Sequence, residues 1–137
     1  MTDADLLAKK LAFIDTCLAD LERLADTAAL RTDLKEQRFV TYTVQIALQS
    51  ALDAASHIVS SERLGEPSTN RALFDLLAQG GWIPSGLVPA LRDMSGFRDV
   101  VVHGYQEVDL DVLEDVLAHR LGDLSAFCTA IRARLAV

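Results

Sequence analysis

Leu7, Leu11, Ile14, Leu18, Leu21, Ala25 and Ala28 recur at steps of four and three through the first thirty residues. That spacing sets apolar side chains along one side of a 3.6-residue helix and breaks the two-residue alternation of a half-buried strand. Asp20, Glu22, Arg23 and Asp26 fall on the other side as a solvated face. The period predicts a first helix from Asp3 to Ala29. A helix with a single apolar stripe gains most of its stability from packing, so the rest of the chain must supply partners for it.

It has the material to do so. Half of the 137 residues are hydrophobic, mostly Leu, Ala and Val, with only seven Gly and three Pro to interrupt helices. A chain of this length suits one domain, able to bury about two thirds of its unfolded surface. The expected architecture is all-α: an antiparallel helical bundle of about four long helices plus one short helix, spanning residues 1–137 as a single domain.

Thr32-Asp33 offers a cap for a second helix running from Asp33 to Leu64. Its middle, Phe39 to Leu48, is richer in β-branched residues than a helix prefers, but no turn residue interrupts it before Gly65. A short helix follows from Arg71 to Gln79, with Thr69 or Asn70 as cap and Gly80-Gly81 as its end. Trp82-Ile83 reads as a hydrophobic plug beneath that turn. Ser85 is a candidate cap for the next helix, and Pro89 sits in its first turn, where a missing N–H is tolerated. Asp109 caps the last helix, with Val108 and Leu113 at the positions of a hydrophobic staple. There Leu110, Leu117, Leu124 and Ile131 repeat every seven residues.

Several chemistries lack their residues. The three histidines, His57, His103 and His119, fall in different elements, and no paired Cys/His spacing suggests a metal site. No Gly-rich loop precedes a Lys-Ser/Thr pair, and no Gly-x-Ser-x-Gly elbow occurs. No cofactor is implied. Cys17 and Cys128 are solitary and read as reduced, apolar fillers. Acids near the N-terminus and the lack of an apolar run of ~18 residues point to a soluble, cytoplasmic protein with no membrane role. Thirteen basic residues against twenty acidic ones give a net charge of −7. Broad, sequence-blind binding to nucleic acid is disfavoured, and an RNA substrate requires a local basic site or a partner that delivers it.

The candidate site is the run Arg98-Asp99-Val100-Val101-Val102-His103-Gly104-Tyr105. Arginine is a permanent cation with a planar fork of donors that fits a phosphate. Histidine is the side chain whose unperturbed pKa lies closest to neutral pH. On a regular helix Arg98 and His103 lie ~140° apart, whereas Arg98 and Tyr105 differ by ~20°. Either the helix loosens at Gly104, or a second copy of the chain completes the site. A polar row on the second helix, Gln45, Gln49, Asp53 and His57, has two readings: a hydrogen-bonded seam of the bundle, or a lining of the cleft that supports Arg98 and His103.

Phe97-Arg98-Asp99-Val100-Val101-Val102-His103-Gly104-Tyr105, followed by Val108-Asp109-Leu110, resembles the signature of HepT-like toxins in the HEPN superfamily. The likeness extends along nearly the whole chain. It takes in His57-Ile58-Val59, the Phe74, Leu77-Ala78 and Gly81-Trp82-Ile83 turn, and the run from Leu91 through Met94 to Arg98. The resemblance implies an all-α bundle, usually a homodimer with its motifs near the subunit junction. It also implies a metal-independent endoribonuclease paired with a minimal nucleotidyltransferase antitoxin, MntA. Arg98 and His103 then correspond to the catalytic pair, and Tyr105 to the tyrosine that receives AMP. Two departures stand out. Asp99 occupies a position where many relatives carry Asn, which changes the charge beside Arg98, and Gly104 replaces a commonly acidic or polar residue. The substrate is RNA, with tRNA a candidate. The rival reading is a non-catalytic HEPN-like module that docks a nucleotidyltransferase, and the acidic balance fits that rival well.

Overall fold

A computed structural model describes residues 2–102 and 109–136, with side chains described at 2–97 and 109–136. The described residues form helices and connecting turns with no strand among them. Helix α1 (Ala4–Leu24) is capped by Asp3, whose carboxylate accepts from the Leu6 N–H. It ends five residues before the expected Ala29. Ala25 is extended, and Asp26 caps a separate 3₁₀ turn at Thr27–Ala29. The Asp26 N–H donates to Glu36 Oε1 at 2.8 Å, so the chain reverses here and no longer follows the helical period.

Helix α2 (Leu34–Ser61) starts at the predicted cap, Asp33. Its β-branched stretch is helical because those residues are buried: Val40, Thr43 and Val44 pack inward. The Thr43 hydroxyl is satisfied by the Phe39 carbonyl one turn back, at 2.7 Å. Burial outweighs the propensity penalty of a few tenths of a kcal/mol per residue. The helix stops at Ser61 rather than Leu64. The Leu64 N–H reaches back to the Val59 carbonyl and the Arg63 N–H to that of Ser60. This is a Schellman closure with Arg63, at φ 52°, in the left-handed position. Without a glycine there, the sequence carried no sign of this stop.

Antiparallel pairing of α1 and α2 is visible in their contacts. Asp3 meets His57, Lys10 meets Ser50 and Asp53, and Asp26 meets Glu36. Helix α3 (Asn70–Gln79) is capped by Thr69 and closed by Gly81 at φ 78°, a conformation that suits glycine. The Trp82 N–H returns to the Leu77 carbonyl, which turns Trp82 and Ile83 into the core as expected. The Arg134 guanidinium covers the Trp82 ring, 5.3 Å from its centroid.

Ser85 does not cap the next helix. It begins a 3₁₀ turn (Ser85–Leu87) that follows Pro84 and leads directly into α4 (Val88–Val102). Leu91, Met94 and Phe97 bury one face of α4. The last rod comprises α5 (Leu110–Asp115), a π-helical turn (Val116–Arg120) and α6 (Leu121–Leu135). The predicted seven-residue stripe holds only in its second half. Leu113, Val116, Leu124, Phe127, Cys128 and Ile131 are buried, while Leu110 and Leu117 are half-exposed. The π turn adds a residue per turn and re-phases the inward face from Leu117 to Val116. Phe74 of α3 meets Phe127 of α6 edge-on, centroids 6.1 Å apart, at the centre of the bundle.

Candidate functional site

Helix α4 carries the backbone of Arg98 and Asp99 in its last two turns, fixed by the burial of Met94 and Phe97 just before them. The side chains of Arg98 and Asp99, and the whole of His103, Gly104 and Tyr105, lie outside the described residues. So does Val108, the expected staple partner of Leu113. What is described is the frame on either side of that segment.

On its downstream side the chain resumes at Asp109. The Asp109 carboxylate caps α5 by accepting from the Asp111 and Val112 N–H groups at 3.1 and 3.2 Å. Arg31, in the turn before α2, then grips the first turn of α5. Its Nε donates to Glu114 Oε1 at 2.6 Å and its Nη2 to Asp111 Oδ1. Those two carboxylates hold the Arg31 guanidinium well above its usual range, so it stays charged throughout. Sequence reasoning missed this clamp, because nothing local ties residue 31 to residues 111 and 114.

Two of the four residues of the polar row on α2, Asp53 and His57, meet α1 or its cap. The Asp53 carboxylate accepts from Lys10 Nζ at 3.3 Å and from Gln49 Nε2 at 2.9 Å. His57 Nε2 accepts the backbone N–H of Asp3 at 2.9 Å, which requires that ring nitrogen to be unprotonated. Ser50, one step off the row, donates to the Lys10 carbonyl at 2.9 Å. For Asp53 and His57 the seam reading therefore has direct support. Gln45 is half-buried on the same helix.

Among the described residues, no three His, Cys, Asp or Glu side chains converge, and no helix is long and apolar enough to cross a membrane. Burial pushes the Cys128 thiol up to about 11 and raises that of Cys17, as befits packed, unreactive sulfurs.

A bundle with this order of helices defines the class: it is a HEPN-type helical protein. A solved structure of the tri-AMPylated Shewanella oneidensis HEPN toxin, in complex with MNT antitoxin, superposes with a TM-score of 0.87 at 32% identity, covering 96% of this chain and 99% of that one. The family model described as ribonuclease HepT-like matches residues 14–131, and the chain belongs to that family. The mRNA nuclease HepT of Shewanella oneidensis is 33% identical over 130 residues, 94% of this chain and 98% of that one. Bacillus subtilis YutE, a cytosolic protein of unknown function, shares the fold with a TM-score of 0.87 at 17% identity, covering 98% of this chain and 91% of that one. Family membership makes the chain a HepT-type endoribonuclease.

Proposed function

We propose that this endoribonuclease is the toxin of a HepT/MntA-type toxin–antitoxin pair, that it works without a metal from a single domain spanning 1–137, and that Arg98 and His103 carry its chemistry. The observation behind this is the position of the motif. The backbone of Arg98 belongs to α4, and the next described helix, α5, starts at Leu110 under the grip of Arg31. The motif thus lies between two elements that the bundle holds in place. The relative named as an mRNA nuclease, matched over 98% of its own chain, supports an RNA substrate, with messenger RNA the first to test and tRNA the second.

In the reaction, the ribose 2′-oxygen attacks the neighbouring phosphorus. An O2′–P bond forms and the P–O5′ bond breaks. The 2′-OH proton passes to a base, and the departing 5′-oxygen takes a proton from an acid. His103 serves in one or both of these roles, an effect worth about 10²–10⁴-fold. Arg98 holds the phosphate and stabilises the charge that grows on its oxygens. The products are a 2′,3′-cyclic phosphate and a 5′-OH. A homodimer brings two copies of the motif to one junction and lets two imidazoles divide the work.

Regulation falls to Tyr105. The toxin in the similar complex is tri-AMPylated and bound to its MNT antitoxin. AMP placed on Tyr105 by such a nucleotidyltransferase introduces bulk and a negative phosphate where the substrate phosphate must enter. Asp99 stands in support beside Arg98, and the protein acts in the cytoplasm.

The test is cleavage of messenger RNA and tRNA in EDTA by the purified protein, beside the Arg98→Ala and His103→Ala variants. Both variants should lose cleavage, with cyclic phosphate ends found only in the wild-type digest. Undiminished cleavage by His103→Ala refutes the assignment. Continued AMP transfer to Tyr105→Phe by the cognate antitoxin refutes the switch.

A further inference from the structure

A cleft of about 290 Å³ opens between the start of α3, the face of α4 just before Arg98, and the π turn of the last rod. Arg71, Asp93, Gly96, Phe97, Asp115 and Arg120 are among the residues that line it. Three observations make it more than a gap between helices.

First, Arg120 is held by the acids of the cleft. Counted four residues at a time, Val116, Arg120 and Leu124 form one inward line, and Val116 and Leu124 are buried. Arg120 is thereby drawn toward α4, where it lies 3.9 Å from Asp93 and 3.4 Å from Asp115. Both acids of the cleft are thus committed to Arg120.

Second, Arg71 makes no ion pair or hydrogen bond among the described residues, and it is exposed. It is an uncompensated cation in a chain of net charge −7.

Third, Arg71 has a seat. Gly96 is buried, and a Cβ built on it would collide with Nη2 of the Arg71 guanidinium. The missing side chain lets the guanidinium lie against the helix backbone, which reduces the freedom it must lose on binding a ligand.

We propose that Arg71, seated on Gly96, binds a phosphodiester of the single-stranded RNA substrate flanking the scissile one. This deepens the RNA-cleaving function and rests on it. Arg98 follows Gly96 by two residues, about 200° around the helix axis and ~3 Å along it. The Arg71 cleft therefore adjoins the stretch of α4 from which the motif starts, and a strand leaving the scissile bond extends into it. Asp93 and Asp115 are engaged by Arg120, which leaves Arg71 to take the phosphate. Arg71 is a binding residue and takes no proton in the reaction.

The test measures binding of a fluorescein-labelled single-stranded RNA oligonucleotide to the full-length protein carrying His103→Ala, with Arg71→Ala, Gly96→Ala or both added. Arg71→Ala should weaken binding about tenfold and lower the slope of log affinity against log salt by about 0.7, one phosphate contact on a single strand. Gly96→Ala removes no charge and favours the helix, yet it displaces the guanidinium. It should weaken binding to a similar extent while the thermal midpoint holds or rises, and the double variant should bind no worse than Arg71→Ala alone. Wild-type affinity and salt slope in Arg71→Ala, or fully additive losses in the double variant, overturn the proposal. Cleavage lost in His103→Ala, together with unchanged binding by Arg71→Ala, rejects the subsite and leaves the catalytic assignment standing. Cleavage that survives His103→Ala rejects the assignment, whereas the salt slope reports on Arg71 separately.

Discussion

Arg31 Nε donates to Glu114 Oε1 at 2.6 Å, joining residues 83 positions apart. With Asp111 as second acceptor, this forked contact ties the turn before α2 to the first turn of α5. It therefore fixes where the chain emerges from the motif segment. The pair is exposed, and exposed ion pairs add little to global stability. Its value is positional.

Arg31→Ala should therefore leave the thermal midpoint almost unmoved while lowering kcat/KM for RNA several-fold. Arg31→Glu combined with Glu114→Arg should recover part of that loss. Equal cleavage rates in wild type and Arg31→Ala would show that the clamp does not govern the motif.

Arg63 occupies the left-handed closure of α2 at φ 52°, where a β-carbon is disfavoured by about 1–2 kcal/mol. Arg63→Gly should raise stability by about 1 kcal/mol, read as an increase in the urea midpoint with an unchanged m-value. A lower midpoint would mean that the Arg63 side chain contributes more than its backbone costs.

Phe127 is fully buried and meets Phe74 edge-on at the junction of α6 and α3. Phe127→Ala should cost about 3–5 kcal/mol, a large share of the stability of a domain this size. Phe127→Leu keeps most of the volume and should cost clearly less. The comparison needs only equilibrium denaturation of the two variants.

The Cys128 thiol, raised to about 11 by burial, keeps its proton in the folded chain at a pH where the unfolded chain has already released it. An acid whose folded pKa is raised stabilises the fold below the unfolded pKa and loses that contribution as pH rises through the folded one. Stability should thus decline between about pH 9 and 11, and Cys128→Ala should flatten that decline. At pH 8 iodoacetamide should leave Cys128 unlabelled in the native protein and label it in denaturant.

The residues themselves encoded much of this protein. The four-and-three spacing from Leu7 to Leu21 determined the buried face of α1, since side-chain direction along a helix is fixed by its period. Asp33, Thr69 and Asp109 marked helix starts, because a cap acts within its own first turn. The run from Phe97 to Tyr105 was enough to suggest a HepT-like chain, which the family match over residues 14–131 bears out.

Other features belong to contacts that no local spacing encodes. The early end of α1 depends on Asp26 reaching Glu36, and the stop of α2 on a left-handed arginine. The shift from Leu117 to Val116 comes with a π turn inside the last rod, which nothing in the local spacing announced. Asp53 and His57, for which cleft lining was the second reading, bond to Lys10 of α1 and to its cap Asp3. A helical period gives each side chain a direction but not the neighbour it will meet. Which neighbour is met, as Arg31 meets Glu114 and Arg71 lies over Gly96, is decided only when distant segments share one core.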